Sequence, residues 1–306
     1  MKLIVVGGGG FIGRNFVRAA AGCGHEVFVV ARSTVPELVG AAGVSVMPEG
    51  LDGLVGEPDL LAQADAICHF ASTTIPGTSN ADPEVDVREN LVPSVRLLEA
   101  MRRTGTRRIL FLSTGGAIYG RPLYSPIDED HPQLPISSYG VVKGAIERYL
   151  EMYRDLYGFR PITIRPANPF GPGQSAVRQV GIISALLSAA RENREATIYG
   201  DGSIVRDFIY IDDLCALLLR ALETDAVGIY NCGSGTGVSL NKVADVVDAV
   251  TGRMLARRYL PARAFDPAAI VLDIEHARRD LGWKPQFTLI EGVQRTWNWI
   301  SEQPRD

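Results

Sequence analysis

The sequence has few residues that could build a metal site or a disulfide framework. Four cysteines and four histidines occur among 306 residues. The cysteines form no C-x-x-C pair, and the histidines lack the spacing of metal ligands. These residues are Cys23, Cys68, Cys215, Cys232, His25, His69, His131 and His276. We therefore expect no structural metal, and we expect the cysteines to be reduced core thiols of a cytoplasmic protein.

The sequence also lacks a strong charge of one sign and a long apolar run. The formal net charge is -4, so no basic field would attract nucleic acid. No apolar run approaches the ~20 residues that span a membrane, and the N-terminus does not resemble a secretory signal. With 46% hydrophobic residues and a mean hydropathy of +0.07, the chain can bury a large core. We expect neither nucleic acid nor a membrane as a partner.

Glycine is abundant, and it is concentrated near the N-terminus. A short apolar run over residues 2–6 predicts a buried strand, and Gly7, Gly10 and Gly13 follow it directly, before a helical pattern. A Cβ at such glycines would keep the backbone from a pyrophosphate, and the N–H groups of the first helical turn would point at that phosphate. A second apolar strand follows at residues 26–30. The stretch predicts a dinucleotide-binding site.

The end of the second strand bears on which dinucleotide is bound. An acid there accepts a hydrogen bond from the ribose 2′-hydroxyl of NAD, whereas an arginine accommodates the 2′-phosphate of NADP. This chain has Ala31 followed by Arg32. The pair favours NADP, and the alternative interpretation is that Arg32 is a solvated residue at a strand end.

Later apolar segments predict further strands of the same sheet. Residues 65–72 resemble a fourth parallel strand that ends in small residues, including Ala71. Residues 108–112 form another, which leads into Ser113 and Thr114. Because ligands collect at the carboxyl edge of such sheets, chemistry is expected there. Between these strands, apolar residues recur at helical spacing over 83–103, which predicts one long amphipathic helix.

The clearest chemical signal is Tyr139 followed four residues later by Lys143. In a helix these side chains stand one turn apart on the same face. A neighbouring ammonium favours the phenolate, so we expect it to lower the tyrosine pKa from about 10 toward the range needed for proton exchange with an alcohol. The pair by itself also occurs by chance in many helices. Together with the glycine loop, it predicts an oxidoreductase-type acid/base site.

These residues, with three later segments, closely resemble the extended short-chain dehydrogenase/reductases, within the NAD-dependent epimerase/dehydratase family. The similarity is greatest to the UDP-glucose 4-epimerase group, and it covers essentially the whole chain. The matching elements are Gly7-x-x-Gly10-x-x-Gly13, Tyr139-x-x-x-Lys143, and residues 165–173, 200–213 and 281–285.

The resemblance implies a role for each matching residue. Tyr139 would be the acid/base at a sugar hydroxyl, Lys143 would hold the nicotinamide ribose, and Thr114 would complete the catalytic set. The residues expected to bind NAD or NADP are Gly7, Gly10, Phe11, Ile12, Gly13, Arg32, Ala71, Asn90, Tyr139, Lys143 and Pro166. The residues expected to bind the diphosphate and nucleoside of a nucleotide sugar are Asn168, Tyr199, Arg206, Arg263 and Asp266.

The sequence departs from the family at one catalytic position. The family usually carries a serine or threonine where this chain has Gly115, so the second hydroxyl must come from Thr114, Ser113 or a water. The dehydratases of the family carry an acidic pair after that threonine, and this chain has Gly115-Gly116-Ala117 there. Dehydration is therefore disfavoured.

Together, these observations predict an α/β protein with a Rossmann-type doubly wound parallel sheet. Residues 1–165, with a return segment at about 204–225, would form the dinucleotide-binding domain, and 166–306 would form a smaller α/β nucleotide-sugar domain. The predicted function is a UDP- or dTDP-hexose 4-epimerase. The alternatives are an NADP-dependent reductase of a 4-keto nucleotide sugar and a cofactor-binding regulatory protein without turnover. The family resemblance further implies a homodimer.

Overall fold

The fold is described from a computed structural model, over residues 1–174, 181–263 and 266–304. The chain divides into two compact units. Unit 1 comprises residues 1–120, 132–165 and 215–230, and unit 2 comprises residues 121–131, 166–214 and 231–306. The segment that returns to unit 1 therefore begins at residue 215 and not near 204. The reason is that the strand Val205–Tyr210 pairs with strands of unit 2.

Unit 1 is built on a seven-stranded sheet. Its strands are β1 (Lys2–Val6), β2 (Glu26–Val30), β3 (Val44–Met47), β4 (Ala66–His69), β5 (Arg108–Leu112), β6 (Arg160–Pro166) and β10 (Gly228–Cys232). They lie in the order β10-β6-β5-β4-β1-β2-β3. Strands β1 to β6 pair in parallel, which confirms the predicted Rossmann-type fold. The strand order reverses direction at β1 and β4, where ligands bind in folds of this kind.

Helices cover this sheet. The central strands β1, β4 and β5 are buried along nearly their whole length, as expected for a parallel sheet covered on both faces. Unit 1 contains α1 (Phe11–Gly22), α2 (Gly50–Val55), α3 (Pro58–Gln63), α4 (Pro83–Asp86), α5 (Val92–Thr104) and α6 (Ser138–Tyr157). Helix α8 (Ile211–Glu223) begins in unit 2 and continues into unit 1.

The single helix expected over 83–103 is interrupted. Helix α4 ends at Asp86, a π-helical turn spans Val87–Leu91, and α5 begins at Val92. Pro93 explains the break, because it has no N–H to donate to the carbonyl of Glu89 four residues earlier. Such π turns occur frequently at functional sites. Asn90, an expected cofactor-binding residue, lies within this one.

Unit 2 contains smaller sheets and several helices. Strand β9 (Val205–Tyr210) pairs with β7 (Asn168–Phe170), β11 (Gly237–Ser239) and β13 (Ala269–Ile270). Strand β8 (Ala196–Tyr199) pairs with β12 (Arg257–Leu260). The remaining helices are α7 (Ile182–Glu192), α9 (Leu240–Thr251), α10 (Glu275–Leu281) and α11 (Leu289–Glu302).

Helix α9 has a serine at its beginning and a glycine at its end. Not all of the cysteines are buried. Ser239 caps α9 by accepting a hydrogen bond from Lys242 N, and Gly252 ends that helix with a left-handed φ of 66°, in keeping with the preference of serine for helix N-caps and of glycine for helix ends. The expectation that all four cysteines lie in the core is wrong for Cys23, which is exposed at the end of α1. The other three cysteines are buried.

Candidate active site

The glycine loop joins β1 to α1, and two of its glycines lie so close to other backbone atoms that no side chain would fit there. Gly7 has a φ of +88°, and a Cβ on it would lie 2.6 Å from the backbone N of Ala71. A Cβ on Gly13 would lie 2.3 Å from the carbonyl oxygen of Gly7. Gly10 caps α1 without a side-chain hydrogen bond to its first turn. The loop therefore fits a dinucleotide pyrophosphate on the helix N-terminus, with Phe11 and Ile12 in that first turn.

The end of β2 is followed by an ion pair that the sequence did not reveal. Arg32 is exposed, and its Cγ lies 3.5 Å from where a Gly50 Cβ would stand. Glu37, six residues past Ala31, pairs with Arg14 in the first turn of α1. That contact holds the pKa of Glu37 below its usual range. An acid therefore lies near the glycine loop although Ala31 is not one, and no spacing rule would have singled it out.

Asn90 organises the segment that follows β4. Its Oδ1 accepts a hydrogen bond from Thr73 N at 2.8 Å. Its Nδ2 donates to Thr73 Oγ1 at 3.0 Å and to Asp86 Oδ1 at 2.8 Å. The structure thus brings Asn90 to the loop just after Ala71, where its amide fixes the loop through internal hydrogen bonds.

Helix α6 is anchored at its N-terminus, where Tyr139 lies. Ser137 caps the helix by accepting from Gly140 N at 3.2 Å, and Tyr139 N donates to Ser79 Oγ at 3.1 Å. A Cβ on Gly140 would lie 2.6 Å from the carbonyl oxygen of Ala117. This glycine therefore lets the helix approach the loop after β5 closely, which fixes the position of the tyrosine.

The structure places Tyr139 and Lys143 side by side on α6. Lys143 is 3% exposed, and its Nζ lies 5.7 Å from the Tyr139 ring centroid. The ammonium also lies 4.7 Å from the Phe111 ring centroid and donates to the Leu112 carbonyl at 2.8 Å. Thr114, also buried, follows two residues after that carbonyl. The three expected catalytic residues therefore belong to one unit, at α6 and the carboxyl end of β5.

Burial sets the proton affinities of this pair. Desolvation lowers the pKa of Lys143 to about 8. The pKa of the half-buried Tyr139 is raised above its ordinary value, first by desolvation and then by the charge of Asp86. The expected net lowering of the tyrosine pKa is therefore wrong, because loss of hydration raises that pKa.

A buried ion pair lies one turn beyond Lys143 on α6. Glu147 and Arg165 are 2% and 1% exposed, and Arg165 Nη2 lies 2.6 Å from Glu147 Oε2. Arg165 Nη1 donates to the Tyr119 hydroxyl at 2.9 Å. The carboxylate also accepts from Ser113 Oγ and from Gln133 Nε2. This network ties α6 to the ends of β5 and β6, the latter ending at Pro166.

In unit 2, four of the five expected substrate residues come together in contacting pairs. Arg206 Nη2 lies 3.3 Å from Asp266 Oδ1, and Arg206 Nη1 donates to the Pro267 carbonyl at 2.8 Å. The Arg263 guanidinium lies 3.6 Å from the Tyr199 ring centroid, and Asp266 N donates to the Arg263 carbonyl at 3.1 Å. These side chains provide cations and an aromatic face suited to a nucleoside diphosphate.

Asn168, the fifth residue, opens strand β7. Its Nδ2 donates to the Asp207 carbonyl at 2.8 Å. Asp207 itself was not singled out from the sequence. Its buried carboxylate accepts from Ser234 N and Leu272 N, and burial raises its pKa to about 6. Asp207 thus holds three segments of unit 2 together beside Asn168.

The part of the chain that the structure describes offers neither a membrane span nor a metal cluster. None of its helices is both long enough and apolar enough to cross a membrane. Over the same residues, no group of three or more histidines, cysteines or acidic residues could hold a metal ion.

The fold and the paired tyrosine and lysine define an extended short-chain dehydrogenase/reductase. The chain belongs to the NAD-dependent epimerase/dehydratase family, whose model matches residues 3–233. The matched region contains the glycine loop, Tyr139 and Lys143. This match confirms the family resemblance found in the sequence.

Individual relatives match over nearly the whole chain. The UDP-glucose 4-epimerase of Mycolicibacterium smegmatis is 33% identical over 304 residues, which cover 97% of each chain. The crystal structure of the UDP-glucose 4-epimerase of Thermotoga maritima with UDP-glucose matches with a TM-score of 0.91 and 30% identity, over 99% of each chain. The Thermus thermophilus UDP-glucose 4-epimerase complex with NAD matches with a TM-score of 0.88 and 29% identity, over 99% of each chain.

Proposed function

We propose that the chain is a nucleotide-sugar 4-epimerase that acts on a UDP-hexose, with Tyr139 as its acid/base. The observation that carries this proposal is the pairing of Tyr139 with Lys143 on α6, with the lysine held by the Leu112 carbonyl at the carboxyl end of β5. The whole-length similarity to proteins named UDP-glucose 4-epimerase supports the uridine nucleotide and the 4-position.

The proposed chemistry is a reversible oxidation at C4. Tyr139, as the phenolate, takes the proton of the C4 hydroxyl while the C4 hydrogen leaves with its electron pair, which gives a 4-keto sugar. When bound, the dinucleotide supplies the acceptor and donor of that electron pair. Return of the hydrogen to the opposite face inverts C4, and Tyr139 gives the proton back. Lys143, with a pKa of about 8, is mostly protonated at pH 7, and its charge favours the phenolate against the desolvation that raises the pKa of Tyr139.

Thr114 is the proposed second hydrogen-bond donor to the sugar hydroxyl. It is buried at the carboxyl end of β5, and it is the nearest side-chain hydroxyl in sequence to the position that Gly115 leaves without one. Orientation of the hydroxyl toward Tyr139 would be its task.

We infer that the resident cofactor is NAD and that it stays bound through the cycle. The Glu37 carboxylate, held by Arg14, offers an acceptor near the glycine loop, and Val35 packs over Gly9 in that loop. Arg32 would then be a surface charge. Glu37→Gln should lower the affinity for NAD relative to NADP, whereas Arg32→Ala should leave the affinity for NAD unchanged within about twofold. Calorimetric titration of the empty protein measures both.

We also propose that the residue pairs of unit 2 hold the nucleotide. Arg206, with its planar charged fork, suits a phosphate, and Asp266 suits a ribose hydroxyl. Asn168 would lie near the diphosphate and Tyr199 near the base. Arg206→Lys should raise the KM for UDP-glucose more than it lowers kcat, because the interaction is lost from bound substrate and transition state alike.

The test of the function is the interconversion of UDP-glucose and UDP-galactose by the purified chain. Tyr139→Phe should lower kcat about 10²–10⁴-fold. Tyr157→Phe, an exposed position on the same helix, should retain it. Denaturation should release NAD, identified by mass spectrometry. Empty protein that prefers NADPH and reduces a 4-keto nucleotide sugar would replace the epimerase with the reductase, and wild-type activity of Tyr139→Phe would contradict the acid/base assignment.

A homodimer is proposed as well. Val141, Met152 and Leu156 on α6 are exposed apolar residues at helical spacing, and Val92 is exposed on α5. An apolar stripe of this kind is typical of a helix that packs against a partner. Leu156→Asp should convert a dimer at micromolar concentration into a monomer in analytical ultracentrifugation. A wild-type chain that sediments as a monomer would refute the dimer.

A further inference from the structure

Asp86, the last residue of α4, is a fully buried acid that the sequence pattern did not single out. It is 0% exposed. Its Oδ1 accepts from Thr74 Oγ1 at 2.8 Å and from Asn90 Nδ2 at 2.8 Å. Its Oδ2 is buried and has no hydrogen-bond partner among the residues that the structure describes. A buried carboxylate oxygen without a partner is costly, and such a group calls for a reason.

The surroundings of Asp86 include the proposed acid/base pair. Helix α4 and the π turn that follows it pack against α6. From there the negative charge of Asp86 contributes to raising the pKa values of Tyr139 and of Lys143. Lys143 is buried among Phe111, the Leu112 carbonyl and the tyrosine. The ring and the carbonyl that it contacts on β5 are both uncharged, so the ammonium needs a counter-charge from another element.

The other charged groups around Lys143 are already balanced or neutral. Glu147 acts on the lysine, but its two carboxylate oxygens bind Arg165, which is equally buried. His69, on β4, lies behind the Phe111 ring, and burial lowers its pKa to about 3, so it is neutral. Of the two carboxylates that act on Lys143, Glu147 is therefore committed to an arginine, and Asp86 is bound by the neutral donors Thr74 and Asn90.

We propose that Asp86 is a positioning residue of the acid/base site, whose buried carboxylate is the counter-charge of Lys143 and orders the loop after β4 through Asn90 and Thr74. The proposal rests on the proposed function, because it takes Tyr139 as the group that exchanges the proton. Asp86 acts through its charge and its hydrogen bonds and need not touch the substrate.

The charge of Asp86 should shift the pKa values of Tyr139 and Lys143 in the same direction. A nearby negative charge disfavours the phenolate of Tyr139 and favours the ammonium of Lys143, so it raises both pKa values. Asp86→Asn removes the charge, while its amide oxygen can still accept from Thr74 and Asn90. Both pKa values should fall. The acid and alkaline limbs of the pH profile of kcat should therefore move together to lower pH.

The experiment compares pH profiles of UDP-glucose epimerisation for the wild type, Asp86→Asn and Glu84→Gln. Glu84 is the matched control, since it is an exposed acid on the same helix. Asp86→Asn should shift both limbs to lower pH by about one pH unit, and Glu84→Gln should leave them in place. If kcat of Asp86→Asn falls at every pH while both limbs stay in place, the role of Asp86 is purely structural and the proposal is overturned.

A second readout does not need turnover. The tyrosinate absorbance of Tyr139 is obtained as the difference between each protein and its Tyr139→Phe counterpart, and its midpoint should fall in Asp86→Asn. Should that variant not fold, Asp86→Ser provides the neutral side chain, and Asp86→Glu, which keeps the charge, should keep both limbs. A midpoint that does not move in the neutral variant refutes the counter-charge. An active Tyr139→Phe enzyme would instead refute the proposed function itself.

Discussion

Substitution of Arg165 by methionine should destabilise the protein more than any surface change on α6. The variant removes the hydrogen bonds from Arg165 to both carboxylate oxygens of Glu147, at 3.1 and 2.6 Å, and to the Tyr119 hydroxyl, at 2.9 Å. It leaves a carboxylate that is 2% exposed and that keeps its hydrogen bonds from Ser113 and Gln133 but loses its counter-charge. Breaking a buried pair in this way costs about 3–5 kcal/mol.

The measurement is chemical unfolding by urea, with the free energy of unfolding compared between variants of equal slope. Arg148→Met is the control, because the Arg148–Glu151 pair lies on the same helix, with Arg148 next to Glu147 in sequence and 65% exposed. It should cost less than about 1 kcal/mol.

A double variant, Arg165→Met with Glu147→Leu, removes the stranded charge and should recover most of the loss. The reasoning would be refuted by a single variant that loses less than about 1 kcal/mol, or by a double variant that loses the sum of both single losses. Either result would mean that the Glu147 carboxylate is not buried against Arg165 in the way that the structure shows.

Three further predictions concern the same unit. The free energy of unfolding of Lys143→Met relative to the wild type should fall by about 1–3 kcal/mol as the pH rises from 8 toward 10.5. The buried Lys143 ammonium, whose pKa is about 8 in the folded chain, destabilises the wild type fully below pH 8 and no longer does so once the lysine is neutral. Urea unfolding of both proteins at several pH values measures this difference. Gly13→Ala should lower the stability measured by thermal unfolding by roughly 1–3 kcal/mol and abolish dinucleotide retention, because its Cβ would lie 2.3 Å from a backbone oxygen. Gly22→Ala is the control and should change neither property, because none of the described atoms lies within 4 Å of its Cβ position. Thr114→Val should lower kcat about 10–100-fold in the epimerase assay without changing stability much.

The parts of the fold that follow from local chemistry could be predicted from the sequence. The glycine loop was predictable because its close backbone approaches exclude every side chain, and those approaches occur between neighbouring segments. The pairing of Tyr139 with Lys143 was predictable because helical spacing fixes it. The sheet followed from apolar runs alternating with helical patterns.

The parts that depend on distant contacts could not be predicted. The pKa values of Tyr139 and Lys143 depend on burial by elements far apart in sequence, such as the strand that ends at Leu112, whose carbonyl lies 31 residues from Lys143. Asp86 occupies a segment that looks like one exposed amphipathic helix, and its burial became visible only with the break before Pro93. Glu37 lies in a turn whose path no periodicity describes. In each case tertiary contacts, and not residue type, decided the environment.

The discontinuous composition of unit 1 has a consequence for its synthesis. The sheet takes its last strand, β10, from residues 228–232, after a stretch that belongs to unit 2. Roughly 60 residues separate the end of β6 from that strand, and a ribosome adding about 5–20 residues per second needs roughly 3–12 s to make them. During that interval β6 is an open edge with unpaired backbone groups. A nascent chain paused there exposes the strand that carries Arg165 and should be the stage at which chaperones are most needed.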